Sequence, residues 1–389
     1  MHKGICFISA CFLGCICNVA VAGDTWITTP ILINGQPVFS SPSCALAMRS
    51  DRTWPVVSYS NGSQAQTAAL TPVGWQPGPT VGQLNTYNIS AATSNNGTAA
   101  FVYENGAVLM LGQTGWSTSY YSTSTNYSSI SGPSIAFKNN NPGVLYVAGP
   151  EAAGGPGLTL ASFNGSGWSQ DKLGNTQYPL FMSSAFGLAF DSYNQANVAF
   201  LNGSQLMYGL KGALTQNQWS FNRIDQSSVH PDPFNIEVAI GAGDIPWIAY
   251  TQQSYLRYAT YNVQQQSWVS GLIGQSLGLE PGSFSMASDG TGGIGIAYIS
   301  TGNMLTFAYN NGSGFWTYDG IAQTSGYRNV ALEFDAHNNP VICYTNSSGQ
   351  LSLAYDPLMI PEPASSAIIA LGAALIASKR KFIRRGGRR

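Results

Sequence analysis

Short apolar runs recur along the chain, each closed by a cluster of Gly, Asn, Asp or Pro and followed by another apolar run. In one unit Glu237-Val238-Ala239-Ile240 leads into turn residues Gly241 to Asp244, then Pro246-Trp247-Ile248-Ala249-Tyr250, Leu256-Arg257-Tyr258-Ala259 and Trp268-Val269. The next unit repeats the order with Phe284 to Ala287, Asp289 to Gly293, Ile294 to Tyr298, Leu305 to Tyr309 and Trp316. Runs this short, rich in β-branched and aromatic residues and bounded by turn formers, predict strands. Two aromatic series fix the period. Trp26, Trp75, Trp116, Trp168, Trp219, Trp268 and Trp316 are spaced by 49, 41, 52, 51, 49 and 48 residues. Tyr59, Tyr103, Tyr146, Phe200, Tyr250, Tyr298 and Tyr344 run in phase at 44, 43, 54, 50, 48 and 46.

Four short strands per period of about forty to fifty residues is the pattern of a propeller blade. Each unit reads as a small-apolar first strand, a turn, a second strand ending in the aromatic, a third strand, and a fourth opening with Trp. The seventh unit offers strands at Val330 to Phe334, Pro340 to Tyr344 and Leu351 to Tyr355 but no Trp strand, whereas Trp26 has no unit ahead of it. The expectation is therefore an all-β, seven-bladed β-propeller over 23–357, its last blade completed by the N-terminal strand Thr25 to Ile27, which leaves no exposed edge. An open solenoid or a two-sheet sandwich is the alternative. Closure of this kind puts Cys44 and Cys343 in adjacent blades, as a disulfide across the seam or as two buried thiols.

Composition agrees with a folded body: 44% of residues are hydrophobic and only 8% charged. Charge is unevenly laid out. Of 16 basic residues one is Lys3 and seven lie in the last eleven positions, so residues 23–360 carry eight basic against sixteen acidic residues, a net of −8. Such a body repels phosphate backbones and excludes nucleic acid as a partner class. At the N-terminus Met1-His2-Lys3, an apolar stretch from Ile5 to Ile16 and Ala20-Val21-Ala22 follow one another. That is the order of a secretory signal peptide, 1–22, cut by signal peptidase after Ala22, with Ala20 and Ala22 as the small residues of the site. An uncleaved anchor is the alternative; Phe12-Leu13-Gly14-Cys15 fits a lipobox poorly.

The last segment, 358–389, contains Pro361-Glu362-Pro363, then fifteen uncharged residues from Ala364 to Ser378, then a basic end from Lys379 to Arg389. The apolar stretch is short for a bilayer, and reaches across if its flanking Lys and Arg snorkel. It is expected to form a single transmembrane-like helix whose basic end stays cytoplasmic. Motif, apolar helix and Arg-rich end in this order resemble a PEP-CTERM sorting signal. The resemblance implies recognition of Pro361-Glu362-Pro363 by an exosortase, a membrane transpeptidase-like enzyme of Gram-negative bacteria that make extracellular polysaccharide. Processing there would place the body at the cell surface or in the extracellular matrix. The resemblance covers under a tenth of the chain and does not reach the body. The body is similar only to generic bacterial secreted propellers through its Pro-x-Ile-Ala-Tyr phrase, with neither WD-repeat marks nor the sialidase Asp-box.

Candidate chemistry is sparse. With His230 and His337 alone in the body, and no H-x-x-x-H, C-x-x-C or calcium-loop spacing, no metal or cofactor is expected. Five body arginines (Arg49, Arg52, Arg223, Arg257, Arg328) are scattered over different strands and turns, which does not suit a sialidase site. Paired-carboxylate cleavage would draw on Glu237, Glu280, Asp232 and Glu333 in the last three units. Asp51, Asp191, Asp289 and Asp335 recur at the turn between first and second strands, as backbone caps. Asn-Gly-Ser at Asn61, Asn164, Asn202 and Asn311 fits tight turns as well as glycosylation sequons. Glu237 stands out, since the matching innermost positions are Ser43, Ser90, Ser134, Gly187, Ser285 and Ala331, which makes it the lone charge expected in the channel. A ligand is expected on the face built by loops entering the first strands and joining second to third, with Tyr178, His230, Asp232, Glu280, Tyr327 and Arg328 as contacts beside Glu237. The sequence thus points to an exported, non-enzymatic propeller that binds polysaccharide or a surface protein. A secreted polysaccharide hydrolase or lyase is the alternative, and a self-associating coat protein a third class.

Overall fold

A computed structural model describes residues 26–355 apart from 40–42, 50–51, 61–63, 83–88, 122–131, 152–154, 174–184, 203–204, 213–217, 225–234, 274–278, 313 and 326–328. Seven four-stranded antiparallel sheets follow one another in sequence. Blade 1 comprises Cys44–Arg49, Trp54–Ser60, Ala65–Thr71 and Gly74–Val81, and blades 2 to 6 repeat this meander, beginning at Ile89, Ser134, Phe186, Ile236 and Leu279. The innermost strands touch in succession around the ring, and that of blade 7, Val330–Phe334, meets that of blade 1. The fold is a closed seven-bladed propeller.

The expected closure is present with a shifted strand. Ile27–Pro30 pairs antiparallel with Leu351–Tyr355, Ile27 opposite Tyr355 and Pro30 opposite Ser352, and so completes blade 7. The strand starts at Ile27, where the sequence pattern ended it. An edge position tolerates Pro30, which has no amide N–H to donate. Trp26 precedes the strand and packs edge-on against Phe307 of blade 6, ring centroids 5.5 Å apart. A small hairpin, Leu32–Ile33 with Gln36–Pro37, then turns through Asn34 and Gly35, both at positive φ as a type I′ turn requires, and leads to blade 1.

The core lies between the blades. Each of seven apolar clusters joins one adjacent pair, including blades 7 and 1, where Leu46, Val57 and Tyr59 meet Val341 and Leu353. All seven members of the Tyr/Phe series are buried. Every Trp of the period packs, partly buried, on the cluster shared with the preceding blade. Middle strands such as Ile294–Ser300 are buried along their whole length because both faces meet a neighbouring sheet. Fourth strands such as Trp168–Lys172 are half-buried or exposed along their whole length. Cys44 and Cys343 are buried free thiols in the cluster between blades 7 and 1, the Cys44 thiol donating to the Cys343 carbonyl at 3.7 Å. Among the described residues no helix is long and apolar enough to cross a membrane. Ala20, Ala22, Pro361, Glu362, Pro363 and the apolar segment after them lie outside the described residues.

Candidate functional site

Seven first strands converge on the ring axis, and their side chains facing the next blade must be small to let them approach. Registers align these positions in two layers. The first holds Ala45, Ser90, Ser134, Gly187, Glu237, Ser285 and Ala331. The second, two residues on, holds Ala47, Ala92, Ala136, Ala189, Ala239, Ala287 and Glu333. Two expectations are corrected here. Blade 1 contributes Ala45 and not Ser43, because Cys44 is the residue opposite Tyr59. Glu237 is also not the lone channel charge, because a first strand presents two such positions and blade 7 fills the second with Glu333.

The serines stitch the ring. Ser90 Oγ accepts from Ile135 N (3.4 Å), Ser134 Oγ from Leu188 N (3.2 Å) and Ser285 Oγ from Leu332 N (3.2 Å), each from one blade to the next. At Gly187 a Cβ would stand 2.8 Å from Ile236 O and 2.9 Å from Val238 N, so blades 4 and 5 approach more closely than a side chain permits. Glutamates are too long for these gaps, and both line a central cavity of about 730 Å³.

The two carboxyls differ in company. Glu333 Oε1 accepts from Thr93 Oγ1 of blade 2 (3.4 Å) and Oε2 lies 3.7 Å from Arg52 Nη2 of blade 1. Burial pushes its carboxyl up to about 7, against the opposing pull of Arg52, Thr93 and the Phe334 amide. Thr93 Oγ1 in turn accepts from Met48 N at 2.8 Å. Glu237 has no cation within ion-pair distance among the described residues. Burial pushes it up to about 7 too, with a hydrogen bond from Asn235 as the opposing influence. Asn235 Nδ2 is itself held by the Phe284 carbonyl at 3.0 Å.

The cavity mouth is lined by turns between first and second strands, among them Arg52, Asn95, Asn139, Asp191, Ser192 and Asn194, with Gly241 to Asp244 of blade 5 and Ser288 to Gly292 of blade 6. Three of the four recurring Asp cap their turns as expected, Asp51 lying outside the described residues. Asp191 Oδ1 accepts from Tyr193 N and Gln195 N, Asp289 Oδ1 from Thr291 N and Gly293 N, and Asp335 Oδ1 from His337 N and Asn339 N, at 2.7–3.0 Å. Burial would raise Asp289, but these donors and Tyr309 Oη at 2.5 Å hold it below its ordinary value. Bonds also run from turn to turn. Asp244 accepts from Ser192 N and Oγ (2.8 and 2.7 Å), Gly292 O from Ala242 N (3.1 Å), Asn338 Oδ1 from Gly290 N (2.7 Å) and Arg52 O from Ala336 N (3.2 Å). The rim from blade 4 round to blade 1 is thus one connected structure. On it Tyr193, flanked by cavity-lining Ser192 and Asn194, is 73% exposed.

This mouth opens on the face opposite the loops that the sequence pattern favoured. Tyr178, His230, Asp232, Tyr327 and Arg328 lie outside the described residues, and Glu280 lies in the strand Leu279–Ser288 with its side chain outside them. Of the carboxylates considered for paired chemistry, the structure brings Glu237 and Glu333 into one cavity. Arg52, Thr93 and Tyr193 carried no sequence signal, since their roles depend on a turn of one blade lying over the strand of another. Asn164 Oδ1 is occupied by Ser166 N and Gly167 N at 3.0 and 2.8 Å, the turn role foreseen for the Asn-Gly-Ser triplets.

No family model matches the chain, and no curated protein does so either. Solved propellers do. A mutant of the Aleuria aurantia lectin in complex with Fucalpha1-6GlcNAc is 14% identical, with 74% of this chain and 98% of that one covered and a TM-score of 0.50. That lectin is a six-bladed propeller. YCF48 bound to D1 peptide is 13% identical over 86% of this chain and 96% of that one, with a TM-score of 0.52. At these identities the likeness is one of fold.

Proposed function

We propose that this is an exported propeller whose central cavity binds an extracellular polysaccharide, without cleaving it, and that its tail delivers it to the surface by the exosortase route. The carrying observation is the preformed polar mouth: turns from successive blades bonded to one another, lined by Asn, Asp and Ser groups, with exposed Tyr193 at the edge. Hydroxyl-rich ligands suit oriented hydrogen-bonding groups and an aromatic face for stacking, and a rim already ordered loses little entropy on binding. The saccharide-bound lectin supports the reading as an instance of a propeller that holds a sugar; the neighbour bound to D1 peptide is an instance of a propeller that holds a peptide.

Hydrolysis draws on the same cavity, through Glu237 and Glu333. A glycosidase pair needs one carboxyl held protonated and the other ionised. Here Glu333 is engaged by Arg52 and Thr93, contacts that would have to break before it could serve a glycosidic bond or a water. Two measurements test the proposal. Saccharide binding by the purified protein, with no release of reducing ends, is the expected result; release of reducing ends would move the protein to the hydrolase or lyase class. For the route, fractionation with intact-mass analysis should find a species from Gly23 to near Pro361-Glu362-Pro363, lost when that motif is altered. A mass that retains the Ala364 to Arg389 segment in both forms rejects exosortase processing.

A further inference from the structure

Five carboxylates and one guanidinium line the cavity: Asp191, Glu237, Asp244, Asp289 and Glu333 against Arg52. Most of these acids already have work. Asp191 and Asp289 cap their own turns, Asp244 holds Ser192, and Glu333 is shared between Arg52 and Thr93. Glu237 differs in that it stands half-buried in the innermost layer of blade 5, lines the cavity, has a hydrogen bond from Asn235 and, among the described residues, has no cation within ion-pair distance. A half-buried carboxylate with no cation of its own interacts more strongly with a ligand cation than a fully solvated one would. An anionic ligand such as a uronate or phosphate meets repulsion, and a neutral sugar leaves the Glu237 charge as it was. Neutral groups that other blades bring to the same cavity, Ser90, Ser134, Asn95 and Thr291, suit hydroxyls.

We propose that the cavity selects a saccharide with a free ammonium group, a hexosamine residue lacking its acetyl group, whose nitrogen sits against Glu237 while its hydroxyls meet the serine and asparagine wall. The assignment rests on the saccharide-binding reading and sharpens it to one class of polysaccharide, a partially or fully deacetylated poly-hexosamine. Acetylation would both remove the charge and add bulk beside Glu237, so the discrimination is expected to be steep.

The test compares binding of a glucosamine tetramer and its fully N-acetylated counterpart to the full-length protein by titration calorimetry. The glucosamine tetramer is expected to bind at least about tenfold more tightly, a difference of about 1.4 kcal/mol. Glu237→Gln should abolish that preference without lowering the melting temperature. If the variant fails to fold, the ligand pair alone decides. Equal binding of both tetramers overturns the ammonium assignment and leaves the saccharide reading standing; binding of neither overturns the amino-sugar assignment, while the saccharide reading stands or falls on binding of other polysaccharides. A lysine tetrapeptide that binds as well as the glucosamine tetramer also overturns the amino-sugar assignment, because the site would then recognise an ammonium on any carrier.

Discussion

Glu237 occupies the position that Ser90, Ser134 and Ser285 fill in other blades, and the exchange of a hydroxyl for a carboxyl makes stability depend on pH. Burial pushes the Glu237 carboxyl up from an ordinary 4.5 to about 7. Between those values the folded protein holds a proton that the unfolded chain has released, so stability falls as pH rises through that window and levels off above it. At about 1.4 kcal/mol per pH unit, Glu237 costs up to about 3 kcal/mol at about pH 8, less whatever channel water recovers. Glu237→Gln should therefore raise the melting temperature at about pH 8 and leave it unchanged at about pH 4. Destabilisation at about pH 8 that fades towards pH 4 would mean instead that a partner holds the carboxyl ionised. Gly187 gives a second residue-scale expectation. Gly187→Ser puts a Cβ against backbone atoms Ile236 O and Val238 N, which cannot yield as a flexible side chain could. Urea unfolding should register a loss of about 1–3 kcal/mol, whereas Ser90→Gly, which opens space, should lose only about 1 kcal/mol with its bond to Ile135.

Within each blade the turn between first and second strands is the element on which fold and site depend together. Asp289 binds Thr291 N, Gly293 N and Tyr309 Oη, and its neighbour Gly290 is held by Asn338 of blade 7. Asp289→Ala should leave those donors unpaired, destabilise the protein by about 2–4 kcal/mol, and weaken saccharide binding by loosening the rim. If binding persists undiminished in a folded Asp289→Ala protein, the rim does not shape the ligand site. These turns also mark how far sequence reasoning reaches. Period, strand order, Trp and Tyr placement and Asp capping were legible because every blade repeats the same local pattern. The innermost layer was misread at blade 1 because Ser43 resembles the serines of other blades, while registration through the Cys44–Tyr59 pair selects Ala45. Glu333 as a channel group was within reach of the period-two alternation, two positions after Ala331; the Arg52 contact and the cavity's direction depend on how blades lie over one another, and no local pattern encodes that.

Ring closure is a property of the whole molecule, and one short strand carries much of it. Six of the blade-to-blade clusters join units consecutive in sequence; the seventh joins blades 7 and 1, residues such as Leu46 and Val341 that are far apart along the chain. Forming that interface late and at long range makes it the step most exposed to failure. Ile27–Pro30 supplies blade 7 with its outer strand, Trp26 packs on Phe307, and Ile31 N donates to Leu351 O at 2.9 Å. Deleting the chain through Pro30 would remove a Trp contact and leave Leu351–Tyr355 as an unpaired edge. The expected loss of several kcal/mol corresponds to a fall of about 10 °C or more in melting temperature for a domain of this size. Self-association through the new edge should appear in size-exclusion chromatography, while a deletion ending at residue 25 should behave as the intact body. If the longer deletion melts at the same temperature and stays monomeric, closure resides in the blade 7–blade 1 core alone. The terminal strand would then only cover an edge that the ring does not need covered.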